Sequence, residues 1–252
     1  MRFTKQIPNI LTLLNLLAGT IAVMFAVKGE LMHAALFVFI GIFFDFFDGL
    51  AARLLKVEGN FGKQLDSLAD VVTSGVVPGI VMFQLLKSKN TLELFSETIA
   101  SWDTQNFEIL PYAGLLLTLT AAYRLAKFNI DESQSNVFIG LPVPAATLVV
   151  VSLPLILNYS SVEFVTDLIQ NKFFLIALTL LLSYLMSAQI PLFALKFKDY
   201  SWQRNKIKFV FIILTAVLCV FLKFIAIPLV ILLYVLMSVF DNIARQKTEI
   251  GS

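Results

Sequence analysis

Residues 45–70 read DFFDGLAARLLKVEGNFGKQLDSLAD, and the fold class turns on them. Four aspartates, Asp45, Asp48, Asp66 and Asp70, stand between apolar segments on both sides. Across its 252 residues the chain is 58% hydrophobic and only 14% charged, where a soluble domain carries about 25% charge. Apolar runs near the ~20 residues needed to cross a bilayer recur along it. A soluble fold of this length could not hide so much apolar surface. The expected class is therefore an all-α polytopic membrane protein, in which four carboxylates at the edge of lipid need an explanation.

Working outward, the hydropathy pattern predicts eight spans: roughly 8–27, 32–55, 65–86, 109–128, 141–157, 172–194, 208–223 and 225–242. The last two are joined only by a tight turn near Ile227-Pro228. With no internal repeat or long linker, the chain reads as a single domain over 1–252, with core spans over 8–194 and two further spans over 208–242. The opening MRFTKQ precedes an apolar run that is long and carries polar residues at helical spacing, so it reads as a first span rather than a signal peptide. If the N-terminus is cytosolic, the outer side keeps only Lys28, Lys87, Lys89, Lys172 and Lys223 of the 19 lysines and arginines, as the positive-inside rule requires. The acidic 88–108 loop then lies outside, and Trp102 and Trp202 sit in connections on opposite sides. The expected location is the cell (inner or plasma) membrane, with both termini and the aspartates facing the cytoplasm. Cys219, the only cysteine, falls in an apolar run and excludes an intrachain disulfide. His33, at an outer helix start, reads as interfacial and inert. No nucleic-acid partner is expected.

Asp45 and Asp48 are three residues apart and share a helical face with Gly41, Gly49 and Ala52. Gly62, Asp66, Asp70 and Thr73 form a second such stripe. A short connection would make these two helices antiparallel neighbours, with their stripes facing. An aspartate at the centre of a membrane helix costs about 2.5–3.5 kcal/mol, and four together repel one another, so protons or cations must offset the charge. Four hard oxygen ligands without cysteine or histidine suit Mg²⁺ or Mn²⁺, and two such ions would form a clamp for phosphoryl chemistry. The competing explanation is a set of helix-end carboxylates facing water. Gly49, Ala52 and Gly62 leave room for a ligand to approach the backbone or serve close helix packing.

As a pattern the stretch is D-x-x-D-G-x-x-A-R, eight residues, then G-x-x-x-D-x-x-x-D. It resembles the signature of the CDP-alcohol phosphotransferase family, with Asp45, Asp48, Gly49, Ala52, Arg53, Gly62, Asp66 and Asp70 at all fixed positions. The resemblance implies a six-helix membrane core, usually a homodimer, that transfers a phosphoalcohol group from a CDP-linked donor to a second alcohol and releases CMP. It further implies that Asp45, Asp48, Asp66 and Asp70 ligate one or two divalent metals, and that Asp70 is also the catalytic base. Gly49, Ala52 and Gly62 would border the cytidine, and Arg53 would pair with a phosphate or, structurally, with a carboxylate. The first span opens PNILTLLN, and its polar face (Asn9, Thr12, Asn15) is similar to the one lining the nucleotide side in this family; as helix glue it would need no ligand.

YRLAKFN at the end of the fourth span and FIGLPVPAA, which opens the fifth, resemble segments of members that use L-serine as acceptor and CDP-diacylglycerol as donor. Lys127 departs from that pattern, where arginine is more usual. Arg124, Lys127 and Asn129 are the candidates for acceptor or phosphate binding. A guanidinium at Arg124 is costly in lipid unless paired or near water; it reads equally as a bidentate anion grip or as an interfacial anchor. Arg204, Lys206 and Lys208 read as anchors to anionic head groups. Three alternatives remain in the sequence: a related enzyme with a glycerol 3-phosphate, inositol or choline acceptor, a prenyltransferase, and a divalent-cation transporter. The prenyltransferase is disfavoured because its aspartate motifs lie far apart, and the transporter because the charges cluster at one side.

Overall fold

The computed structural model describes residues 6–87, 108–130, 138–192 and 202–250. Helices account for nearly all of them: α1 (Ile7–Val27), α2 (Leu31–Leu55), α3 (Asn60–Asp70), a π-helical segment (Val71–Val76) and α4 (Val77–Leu86). After them come a 3₁₀ segment (Leu110–Leu115), α5 (Leu116–Ile130), α6 (Val143–Tyr159), α7 (Glu163–Gln170), α8 (Lys172–Ser187), α9 (Trp202–Leu222) and α10 (Ala226–Ile250). The strand pairing is a two-residue antiparallel ladder in which β1 (Phe138–Ile139) meets β2 (Pro191–Leu192). The chain is an all-α polytopic membrane protein. The acidic 88–107 stretch with Trp102, the basic residues Arg2, Lys5, Lys89, Lys196 and Lys198, and the side chains of Trp202, Arg204, Arg245 and Lys247 lie outside the described residues.

Each of the eight expected spans overlaps a helical segment, but only four runs are long and apolar enough to cross a bilayer, 7–27, 31–55, 60–86 and 205–242, and the helix within the expected 172–194 span ends at Ser187. The last run is two rods. Phe211 and Tyr234 place their ring centroids 5.7 Å apart, which for residues 23 positions apart requires the chain to fold back. It does so at the 3₁₀ turn Lys223–Ile225, where Lys223 adopts φ 48°. A further crossing arises if α7 and α8, bent by 76° about Asn171, act as one broken span. The Asn171 side chain causes that break by accepting from the Phe173 and Phe174 N–H groups at 2.9 and 3.3 Å, which starts a new helix. α6 is apolar but spans only 17 residues.

Where α1 meets α2 the interior is built from small side chains. Ala18, Ala22 and Ala26 of α1 are buried, as are Ala34, Ala35 and Val38 of α2, and these two helices pack closely along their length. Larger buried side chains, such as Met82, Leu86, Ile156 and Leu175, fill the core further on, and many others face outward, among them Leu17, Phe43, Phe46 and Phe221. In lipid the tails are as apolar as leucine, so helix association relies on small residues and close backbones. α1 also packs against α3, the π segment and α4, and this sets the site. α2 and α3 were expected to be direct neighbours. Along α3 the two backbones scarcely approach and leave a gap, but α2 does touch the rest of that span, the π segment and α4; α1 packs against both α2 and α3.

Candidate active site

The gap between α2 and α3 is spanned by carboxylates. α2 ends at Lys56, in the left-handed region at φ 53°, with the Lys56 and Val57 N–H groups returning to the Arg53 and Ala52 carbonyls. Four residues later Asn60 starts α3, so the C-terminal turns of α2 and the N-terminal turns of α3 lie at the same end of the bundle. One oxygen each from Asp45, Asp48 and Asp66 falls within 4.8 Å of the others. The facing stripes read from the sequence do converge.

α1 supplies the neutral polar groups that hold two of these acids. Thr12 Oγ1 donates to Asp48 Oδ2 at 2.5 Å. Asn15, fully buried, donates from Nδ2 to Asp70 Oδ1 at 3.3 Å. The amide oxygen of Asn15 in turn accepts from Thr73 Oγ1 at 2.8 Å. Thr73 lies in the π-helical segment that begins directly after Asp70, a deformation frequent at functional sites. Gly19 and Gly41 allow this approach, since a Cβ at either position would overlap the Thr73 side chain.

No lysine or arginine forms an ion pair with the four aspartates among the described residues. Like charges this close in a partly desolvated gap repel strongly, so the cluster favours a bound cation. Asp66 Oδ1 is buried without any hydrogen-bond partner, and leaving such an atom unsatisfied costs about 1–3 kcal/mol. A hard cation would satisfy that oxygen and relieve the repulsion, and an all-carboxylate donor set suits Mg²⁺ or Mn²⁺. The residues fit such an ion.

Beside the acids opens a cavity of about 740 Å³, within the ~300–1,000 Å³ usual for small-molecule sites. All six residues expected to border the nucleotide line it: Asn9, Thr12, Gly49, Ala52, Arg53 and Gly62. A Cβ at Gly49 would meet only the Arg53 guanidinium, at 3.7 Å, and one at Gly62 only Asn9 Oδ1, at 3.6 Å. Both are ordinary contacts, so these glycines keep the cavity open rather than relieve a protein clash. Sequence reasoning missed Lys63 and Phe128, which also line it. The Lys63 ammonium stands 5.7 Å from the Phe128 ring centroid and donates to the Asn129 carbonyl at 3.0 Å.

A second cavity, of about 410 Å³, shares Phe128 with the first and is lined by Arg124 and Lys127. Arg124 Nη2 donates to the Gly140 carbonyl at 3.3 Å, while its Nε is buried without a partner. Asn129 lines neither cavity. It exchanges hydrogen bonds with Ser67 at 2.9 and 3.1 Å and reaches Gln64 at 3.5 Å, tying the end of α5 to α3 beside Asp66. His33 sits away from both cavities, paired with Glu30 at 3.1 Å and stacked on Phe25; Cys219 is exposed on the apolar helix α9.

This is the architecture of a membrane-embedded phosphotransferase, with acids held between helices beside a nucleotide-sized cavity. Residues 5–185 match the model of the CDP-alcohol phosphatidyltransferase family, and the chain belongs to that family. Members of the family depend in general on divalent metal. The chain is 35% identical over 158 residues to the CDP-diacylglycerol–serine O-phosphatidyltransferase of Bacillus subtilis, covering 61% of this chain and 78% of that relative. It is 31% identical over 216 residues to the Helicobacter pylori protein of the same name, covering 83% of this chain and 80% of that one. An archaetidylserine synthase of Methanothermobacter thermautotrophicus is 30% identical over 160 residues, 62% of this chain and 61% of that relative.

Proposed function

We propose that this chain is a CDP-diacylglycerol–serine O-phosphatidyltransferase, converting CDP-diacylglycerol and L-serine into phosphatidylserine and CMP. The observation that carries the reading is the convergence of three motif aspartates, Asp45, Asp48 and Asp66, beside a cavity that Gly49, Ala52, Arg53 and Gly62 of the motif line. The names of the similar proteins supply the acceptor.

In this reading Asp45, Asp48, Asp66 and Asp70 hold one or two Mg²⁺ or Mn²⁺ ions. When bound, such ions neutralise charge on the donor diphosphate and on the departing CMP. Asn9, Thr12, Gly49, Ala52, Arg53 and Gly62 receive the cytidine diphosphate end of the donor, and its tails run out along the apolar helix faces. Arg124 and Lys127 hold the serine carboxylate, the guanidinium by charge-assisted hydrogen bonds. Asp70 takes the serine hydroxyl proton as the oxygen attacks, because a hydroxyl is a weak nucleophile without a positioned base. The new bond joins the serine oxygen to the phosphorus that carries diacylglycerol. The bond broken is the one from that phosphorus to the bridging oxygen, which leaves on CMP. Asn129 acts at one remove, by fixing α3 against α5.

The whole chain works as one domain, as a homodimer, with the acids and both termini on the cytoplasmic side of the cell membrane, the side to which the positive-inside rule assigns Arg53, Lys63, Arg124 and Lys127. The test is to incubate the purified full chain with CDP-diacylglycerol, Mg²⁺ or Mn²⁺ and a panel of alcohols, then identify the lipid formed. Phosphatidylserine with stoichiometric CMP is expected. Product from glycerol 3-phosphate or inositol but not from serine would overturn the acceptor assignment.

A further inference from the structure

The family match ends at residue 185, yet half of the second cavity's lining lies beyond it: Met186, Ser187, Ala188, Gln189 and Pro191. That segment is fixed by a small backbone knot. Gly140 donates its N–H to the Ile190 carbonyl at 2.9 Å, and its own carbonyl accepts from Arg124. At φ +71° it has no room for a side chain, since a Cβ would lie 2.8–3.1 Å from the carbonyl oxygens of Ala188, Met186 and Leu185. The segment is clamped on its far side by the C-terminal pair of helices, where Asn242 Nδ2 of α10 donates to the Pro191 carbonyl at 2.5 Å. One wall of the cavity is thus cationic, through Arg124 and Lys127. Another part of the lining is the C-terminus of α8, where a helix carries partial negative charge and favours cations, followed by Gln189 with its amide.

We propose that the Ser187–Pro191 segment, pinned by Asn242, is the selectivity wall of the acceptor site and takes the ammonium pole of a zwitterionic amino alcohol. This rests on the reading of the second cavity as the acceptor's. It gives the two C-terminal helices a task in the reaction: they hold a cavity wall against the catalytic core. A small zwitterion finds both of its poles matched in the cavity. An anionic acceptor without an ammonium meets only one favourable wall.

The experiment measures acceptor kinetics of the full chain in lipid nanodiscs with Mn²⁺ and CDP-diacylglycerol. The acceptors are L-serine, 3-hydroxypropanoate (no ammonium) and ethanolamine (no carboxylate). Gln189→Ala and Asn242→Ala should each raise the KM for serine about fivefold, the effect of one lost hydrogen bond, with the donor KM unchanged. Gln189→Ala should also narrow the preference for serine over 3-hydroxypropanoate, whereas Arg124→Ala should narrow the preference over ethanolamine. Gln189 is exposed on its segment, so this variant carries the test even where Asn242→Ala fails to fold. If Arg124→Ala raises the serine KM while Gln189→Ala does not, the selectivity wall is overturned and the acceptor cavity stands. If neither moves it, both the wall and the cavity assignment fall.

Discussion

Asn15 donates to Asp70 across the interface of α1 and α3 at 3.3 Å, and Thr73 grips the same amide by its oxygen at 2.8 Å. The second bond fixes the first. With its oxygen occupied by the threonine hydroxyl, the Asn15 amide can present only its NH₂ to the carboxylate. Asp70 is therefore oriented by a chain of two buried side chains that never reach the cavity. Replacing Thr73 by valine keeps the shape and removes the donor. Thr73→Val should lower kcat about tenfold with both KM values near wild type, and Thr73→Ser should restore most of it. The KM-against-kcat split checks this, because general destabilisation would not separate the two.

Gly19 and Gly41 face that same threonine, and a Cβ at Gly19 would fall 3.0 Å from both Cα and Cβ of Thr73. Overpacking a tight interface costs about 1–3 kcal/mol. Gly19→Ala should therefore reduce resistance to thermal inactivation in detergent. Gly59→Ala, where nothing lies within 4 Å of the added Cβ, should leave it unchanged.

Asp70→Asn should lower turnover about 10²–10⁴-fold, the usual range for loss of a general base. Binding of a non-reactive CDP-lipid analogue, followed by calorimetry, should persist. Wild-type turnover in this variant would remove Asp70 from the role of base.

Asn129 should behave as a positioning residue. Its side chain bonds to Ser67, one residue from Asp66, and lines neither cavity. Asn129→Ala should lower kcat several-fold without selectively raising the serine KM, whereas Arg124→Ala should raise that KM. Steady-state titration of serine separates the two patterns.

These contrasts mark how much could be read from the chain itself. The aspartate spacing reports which carboxylates share a helical face, and a face read from spacing survives folding because it is local. The helical segments were legible for the same reason, but the reversal expected near Ile227-Pro228 falls a few residues earlier, at Lys223–Ile225, and Pro228 lies in the first turn of α10, where its missing N–H costs nothing. What periodicity could not report is the third helix. The short link suggested that the second and third spans pack directly; α2 does meet the π segment and α4, but along α3 it is α1 that packs against both, which leaves the cavity open there. The Thr73–Asn15 bond joins residues 58 positions apart, and no spacing rule reaches that far. Asn129 stood one turn from Arg124 and suggested the same cavity; its short side chain instead finds Ser67 on the neighbouring helix. α7 went unread because its eight residues are too few to resemble a span.

The account rests on carboxylates from two separate helices acting as one cation site, and Mn²⁺ binding by the full chain in nanodiscs tests this most directly. Titration followed by electron paramagnetic resonance should show Mn²⁺ held by the wild type, tighter when CDP-diacylglycerol is present. Asp45→Asn on α2 and Asp66→Asn on α3 should each weaken it about tenfold or more. Equal Mn²⁺ affinity in all three proteins would contradict the shared site and the phosphotransfer chemistry built on it.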